Sequence, residues 1–147
     1  MKKVLLQGAF DLLNYGHVKA FEDAKKQGDY LIIALNTDNL IRKYKKREPI
    51  LPYWQRKIIL ESIRWIDKVV PAKEFSCLEL LKKNNIDVYV VADEWKKENA
   101  KEIKYMISKG GRIFFVFDYY RVIHSSEMRM RCAKQILTKL LKDYGKK

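Results

Sequence analysis

The sequence is poor in the residues that build metal centres and disulfide frameworks, with two cysteines and two histidines among 147 residues. Cys77 and Cys132 stand far apart, with no CxxC pair and no histidine cluster beside them. That excludes a zinc ribbon and a disulfide scaffold, and predicts a reducing, cytoplasmic setting. Long hydrophobic runs are also missing. Val4-Leu5-Leu6 is broken at once by Gln7 and Gly8, far short of a signal-peptide core or the roughly 20 apolar residues of a membrane span. Neither secretion nor membrane embedding is expected. Acidic residues are scarce, 18 against 31 Lys and Arg, leaving a net charge of +13. Such a charge fits a polyanionic partner such as nucleotide phosphate or nucleic acid, or a merely lysine-rich composition, and does not choose among them. No repeat, low-complexity tract or Ser/Gly linker divides the chain. With 48% hydrophobic residues it reads as one domain over 1–147.

Short β-rich apolar runs alternate with segments of helical period. Lys3 to Leu6, Tyr30 to Leu35, Lys68 to Val70, Val88 to Val91 and Arg112 to Phe117 read as strands. Their near-continuous hydrophobicity implies burial on both faces and hence a parallel sheet. Tyr15 to Lys26, Tyr53 to Trp65, Ser76 to Lys83 and Glu98 to Lys109 read as helices, the second with a stripe of Ile58, Ile59, Ile63 and Ile66. A last helix is expected from Ser126 to Tyr144. Alternating strands and helices predict right-handed crossovers and a doubly wound α/β sheet. Thr37 to Pro52 reads as an irregular loop. It carries Arg42-Lys43-Tyr44-Lys45-Lys46-Arg47, five cations in six positions, read as a phosphate clamp beyond the second strand or as a solvated basic loop.

The segment from Gly8 to His17 starts where the first strand ends and runs into the first helix. Gly8 allows the backbone to turn and approach a ligand closely. Asn14 is placed to cap the helix and Gly16 to permit close packing, while His17 falls in the first turn, where free N–H groups and the helix dipole favour an anion. Arg56 and Arg64 lie eight apart and share one face of the expected second helix.

Gly8-Ala9-Phe10-Asp11-Leu12-Leu13-Asn14-Tyr15-Gly16-His17 resembles the signature of the nucleotidyltransferase superfamily with the His-x-Gly-His motif, closest to the glycerol-3-phosphate cytidylyltransferase group. Asn36-Thr37-Asp38, the block from Arg56 to Val70 and Asp93-Glu94-Trp95 extend the likeness in the same order. Three places depart from the pattern: Asn14 replaces the first histidine, Ala9 replaces a threonine, and the late motif survives only in part as Arg121 to Ser126. An asparagine amide still donates hydrogen bonds but carries no charge, so weaker stabilisation of the transferring phosphoryl group is expected.

The resemblance implies a five-stranded sheet in the order 3-2-1-4-5 with a C-terminal helix, and transfer of a cytidylyl group from CTP to a small phosphorylated alcohol, with loss of pyrophosphate. It assigns catalysis to His17, Asn14, Lys46 and Arg121. Nucleotide binding falls to Gly8, Ala9, Phe10, Gly16, Arg64, Asp93, Ser125, Ser126 and Arg129, and acceptor binding to Asp11, Asp38, Lys43 and Arg56. It implies Mg²⁺ carried by the nucleotide with no dedicated metal ligands, a homodimer, and no nucleic-acid partner. An ATP-dependent adenylyltransferase and a nucleotide-binding homologue without turnover are the alternatives.

Overall fold

Strands with long apolar stretches need cover on both faces. The computed structural model, which describes residues 1–92, 96–116 and 125–144, supplies it for the central strands and leaves the two edge strands partly exposed. In chain order the elements are β1 (Lys3–Gly8), α1 (Tyr15–Lys25), β2 (Tyr30–Asn36), α2 (Asp38–Lys45), α3 (Tyr53–Glu61), β3 (Lys68–Ala72), α4 (Leu78–Lys83), β4 (Val88–Ala92), α5 (Ala100–Ser108), β5 (Arg112–Val116) and α6 (Ser125–Tyr144). The strands form one sheet in the order β3-β2-β1-β4-β5, every pair parallel, as the resemblance implies.

Side chains alternate across the pleat and build two cores. Val4 and Leu6 of β1 point to a core shared with Ala20, Phe21 and Ala24 of α1 and Leu60 of α3. Leu5 points the other way, to Leu40 of α2, Leu81 of α4 and Met106 of α5. The chain winds outward from β1 through β2 to β3, then crosses back to β4. The carboxyl ends of β1 and β4 therefore flank the switch point, where open α/β sheets bind ligands.

Two expectations are corrected. Thr37 to Pro52 is not irregular throughout, because Asp38–Lys45 is helical. The Thr37 hydroxyl accepts from the Leu40 N–H at 3.3 Å as its N-cap, Leu40 and Ile41 bury its inner face, and Lys46 ends it in the left-handed conformation at φ 52°. The helix after Pro52 stops at Glu61 instead of reaching Trp65, because Ser62 tightens the turn: its N–H reaches Ile58 and Ile59, and its hydroxyl donates to the Ile59 carbonyl at 2.7 Å. Within it Ile58 and Ile59 face solvent, while Ile63 and Ile66, beyond its end, pack on the first core. From Met130 to Tyr144, α6 is exposed along its length.

Candidate active site

At the end of β1 the backbone must turn sharply, and it does so at Phe10, whose φ is 46°. The Phe10 ring folds back over Gly8, so that a Cβ there would lie 2.6 Å from the ring. Gly8 thus makes room for an internal aromatic at the rim of the site. The ring is 5% exposed and packs edge-on against Phe21 and against the His17 imidazole, with centroids at 5.1 and 5.5 Å.

Asn14 caps α1 as expected, its Oδ1 accepting from the His17 N–H at 3.3 Å. The Asn14 N–H in turn donates to His17 Nδ1 at 3.2 Å. A main-chain N–H only donates, so Nδ1 is the acceptor and the imidazole proton sits on Nε2. Burial, reinforced by the Lys45 charge, lowers the His17 pKa to about 4. At neutral pH the imidazole is therefore a neutral donor through Nε2–H. Among the described residues, the buried Asn14 Nδ2 meets no hydrogen-bond partner.

A cavity of about 260 Å³ opens at the carboxyl ends of β1 and β4, near the lower end of small-molecule sites. Gly8, Ala9, Phe10, Asp11, His17, Ser126 and Arg129 border it, so seven of the expected positions converge there. Lys45 and Arg47 line it as well, whereas Lys43 and Lys46 do not. The helical run of Leu40, Ile41 and Tyr44 after the Thr37 cap is the sequence signal that would have singled out Lys45; reading the segment as a loop hid it.

Asp11 is 3% exposed and fastens three segments together. Its Oδ1 accepts from the N–H groups of Ile50 and Leu51 at 2.8 and 3.0 Å, and its Oδ2 from Arg47 at 2.8 Å and Arg129 at 3.4 Å. Burial raises its pKa, but the Leu51 N–H, the Arg47 guanidinium and the Ile50 N–H together outweigh that and hold it below the usual value. Burial is likewise the main influence lowering the Arg129 pKa, followed by the Arg47 charge, with Asp11 opposing both.

Arg56 and Asp38 form a second knot. The Arg56 side chain is fully buried, donating to Asp38 at 2.6 Å, to the Ala9 carbonyl at 2.5 Å and to the Leu51 carbonyl at 2.9 Å. Asp38 also accepts from the Tyr53 N–H at 3.1 Å. In this structure both residues hold the walls of the site, and a direct substrate contact by Arg56 requires the knot to open. Arg64 lies beyond the end of α3, exposed and stacked on Trp65 at 4.4 Å, so the two arginines do not share a helix face. Gly16 is buried in the first turn of α1. Asp93, Arg121, His124 and the side chain of Ser125 lie outside the described residues.

Among the described residues no group of three or more His, Cys, Asp or Glu side chains is placed to hold a metal. No helix there is long and apolar enough to cross a membrane. What converges at the switch point is the α1 N-terminus, one imidazole donor and the cations Lys45, Arg47 and Arg129, a set matched to phosphate oxygens.

The family described as cytidylyltransferase-like matches residues 5–131. The chain is 43% identical over 97 residues to glycerol-3-phosphate cytidylyltransferase of Bacillus subtilis (strain 168), covering 65% of this chain and 74% of that one. It is 38% identical over 126 residues to the enzyme of the same name from Bacillus spizizenii, covering 84% and 85%. An FAD synthase of Ferroglobus placidus is 31% identical over 108 residues, covering 69% and 70%. Among solved structures, the lipopolysaccharide core biosynthesis protein of Thermoplasma volcanium superposes with a TM-score of 0.71 at 22% identity, over 81% of this chain and 98% of that one, and so shares the fold.

Proposed function

This chain belongs to the cytidylyltransferase-like family, and from that premise we propose that it transfers a cytidylyl group from CTP to a small phosphorylated alcohol of the glycerol 3-phosphate kind. A phosphate oxygen of the acceptor attacks the α-phosphorus of the nucleotide. One P–O bond forms, the bond to the β-phosphate oxygen breaks, and pyrophosphate leaves with the electron pair. The attacking oxygen is already anionic, so catalysis needs positioning and charge neutralisation rather than a general base.

The observation that carries this reading is the convergence of phosphate-binding side chains at the β1–β4 switch point, in a chain whose relatives at 38–43% identity are named glycerol-3-phosphate cytidylyltransferase. His17 Nε2–H and the first turn of α1 receive the nucleotide phosphates, with Asn14 Nδ2 as a further donor on the same cap. Lys45 and Arg47 neutralise charge from the α2 side, and Ser126 and Arg129 from α6. Lys43, Lys46, Arg64, Asp93, Arg121 and Ser125 keep the roles that the resemblance assigns, as part of the proposal. Mg²⁺ belongs to it as the nucleotide's counter-ion, neutralising phosphate charge; Asp11, already engaged by two arginines and two N–H groups, leaves its binding to phosphate oxygens. A cytoplasmic homodimer completes the reading, supported by the exposed free thiol of Cys132 and the exposed apolar residues Trp54 and Ile58 of α3.

The test is pyrophosphate release with CTP, ATP, GTP or UTP and glycerol 3-phosphate. Release confined to CTP is the expected outcome. ATP as the productive nucleotide would redirect the reading to adenylyl transfer, and nucleotide binding without release would replace it with a binding protein.

A further inference from the structure

Three side chains lining the cavity, Gln7, Asn36 and Tyr44, form a relay of hydrogen bonds whose direction is fixed. The Glu74 main-chain carbonyl accepts from Gln7 Nε2 at 3.1 Å. A carbonyl can only accept, which settles how the Gln7 amide faces. The same Nε2 donates to Asn36 Oδ1 at 3.0 Å, and Asn36 therefore turns its Nδ2 to the Tyr44 hydroxyl oxygen at 3.2 Å. Tyr44 accepts from Asn36 and still has its own proton to place. Among the described residues that proton meets no acceptor. The ring is held by the second core and by an edge-on contact with Phe75, centroids 5.6 Å apart. Burial raises the Tyr44 pKa, with Asn36 and the nearby arginines opposing, so the hydroxyl stays protonated at neutral pH.

A fixed donor offered beside a cavity also bordered by Lys45 and Arg47 suits a molecule with both a hydroxyl and a phosphate. Resting on the reading that the acceptor is a phosphorylated alcohol, we propose that the Tyr44 hydroxyl donates to a hydroxyl oxygen of that acceptor, so that the Gln7–Asn36–Tyr44 relay selects a phosphate ester that carries a free hydroxyl. A plain alkyl phosphate offers no such oxygen and leaves the donor unmatched.

Calorimetric titration of the whole chain with glycerol 3-phosphate and with two analogues, propane-1,2-diol 1-phosphate and propane-1,3-diol monophosphate, tests this directly, since each analogue lacks one hydroxyl. Tyr44→Phe is expected to weaken glycerol 3-phosphate roughly tenfold, leave CTP binding unchanged, and cost nothing further with the analogue missing the hydroxyl that Tyr44 reads. Asn36→Asp provides a second route: a carboxylate there accepts the Tyr44 proton, turns the relay inward and produces the same loss. The proposal is overturned if both variants bind glycerol 3-phosphate as the wild type does, if Tyr44→Phe loses the same factor against all three ligands, or if the wild type binds none of them. Pyrophosphate release measured in parallel keeps the two conclusions apart. Turnover with an indifferent Tyr44→Phe removes the relay and leaves the function. Ligand-selective weakening without turnover does the reverse.

Discussion

Removing the Arg56 guanidinium should unfasten the walls of the site. In Arg56→Leu, Asp38 loses its cationic partner, and the carbonyls of Ala9 and Leu51 lose their donors in a place where the arginine side chain has no solvent exposure. Breaking a buried pair from one side costs about 3–5 kcal/mol. Asp38 is 24% exposed and regains some hydration, which puts the expected loss near the lower bound, about 3 kcal/mol. For a chain of this size each kcal/mol moves the midpoint by roughly 2–4 °C, so a fall on the order of 6–12 °C follows. Arg56→Lys keeps the charge but not the three-way fork, and should fall between wild type and Arg56→Leu. Urea unfolding followed by far-ultraviolet circular dichroism, with the slope checked for constancy, gives the free energies. A loss under about 1 kcal/mol in Arg56→Leu, or lost turnover at an unchanged midpoint, would refute the structural role and return Arg56 to the substrate.

Three further outcomes are expected. The folded His17 pKa is about 4 against 6.5 for the free side chain, so the unfolded chain binds the proton first and His17 contributes stability above pH 6.5 that is lost as pH falls towards 4; urea midpoints measured between pH 7 and pH 4.5 should drop less in His17→Gln than in the wild type. Asn14→Ala removes the α1 cap and should cost about 1 kcal/mol by chemical denaturation, whereas Asn14→Ser should retain most of it. Cys77 is buried, and burial pushes its thiol up to about 12, while Cys132 is exposed; a thiol reagent at pH 8 should modify Cys132 alone in the native protein and both residues in urea, as read by mass spectrometry.

The sheet was legible because each strand carries a short, nearly unbroken apolar run, and the Asn14 cap because a polar residue stands just before a helical pattern. The motif at Gly8 to His17 located the site, yet left roles open that depend on contacts far apart in sequence. Nothing local says that Arg56 reaches back 47 residues to Ala9, or that Phe10 fills the space beside Gly8. Asp11 reads as an ordinary turn residue until Arg129, 118 positions later, is seen beside it. The basic run was misread for a different reason: its charge obscured the weaker helical spacing of Leu40, Ile41 and Tyr44.

β1, the first strand of this sheet in chain order, occupies its middle. Until residue 88 leaves the ribosome, β1 has a neighbour on one side only, and its other edge can pair with any extended segment nearby. A chain halted before β4 therefore leaves the Val4–Leu6 edge of β1 unpaired, the kind of exposed edge that recruits chaperones or seeds aggregation.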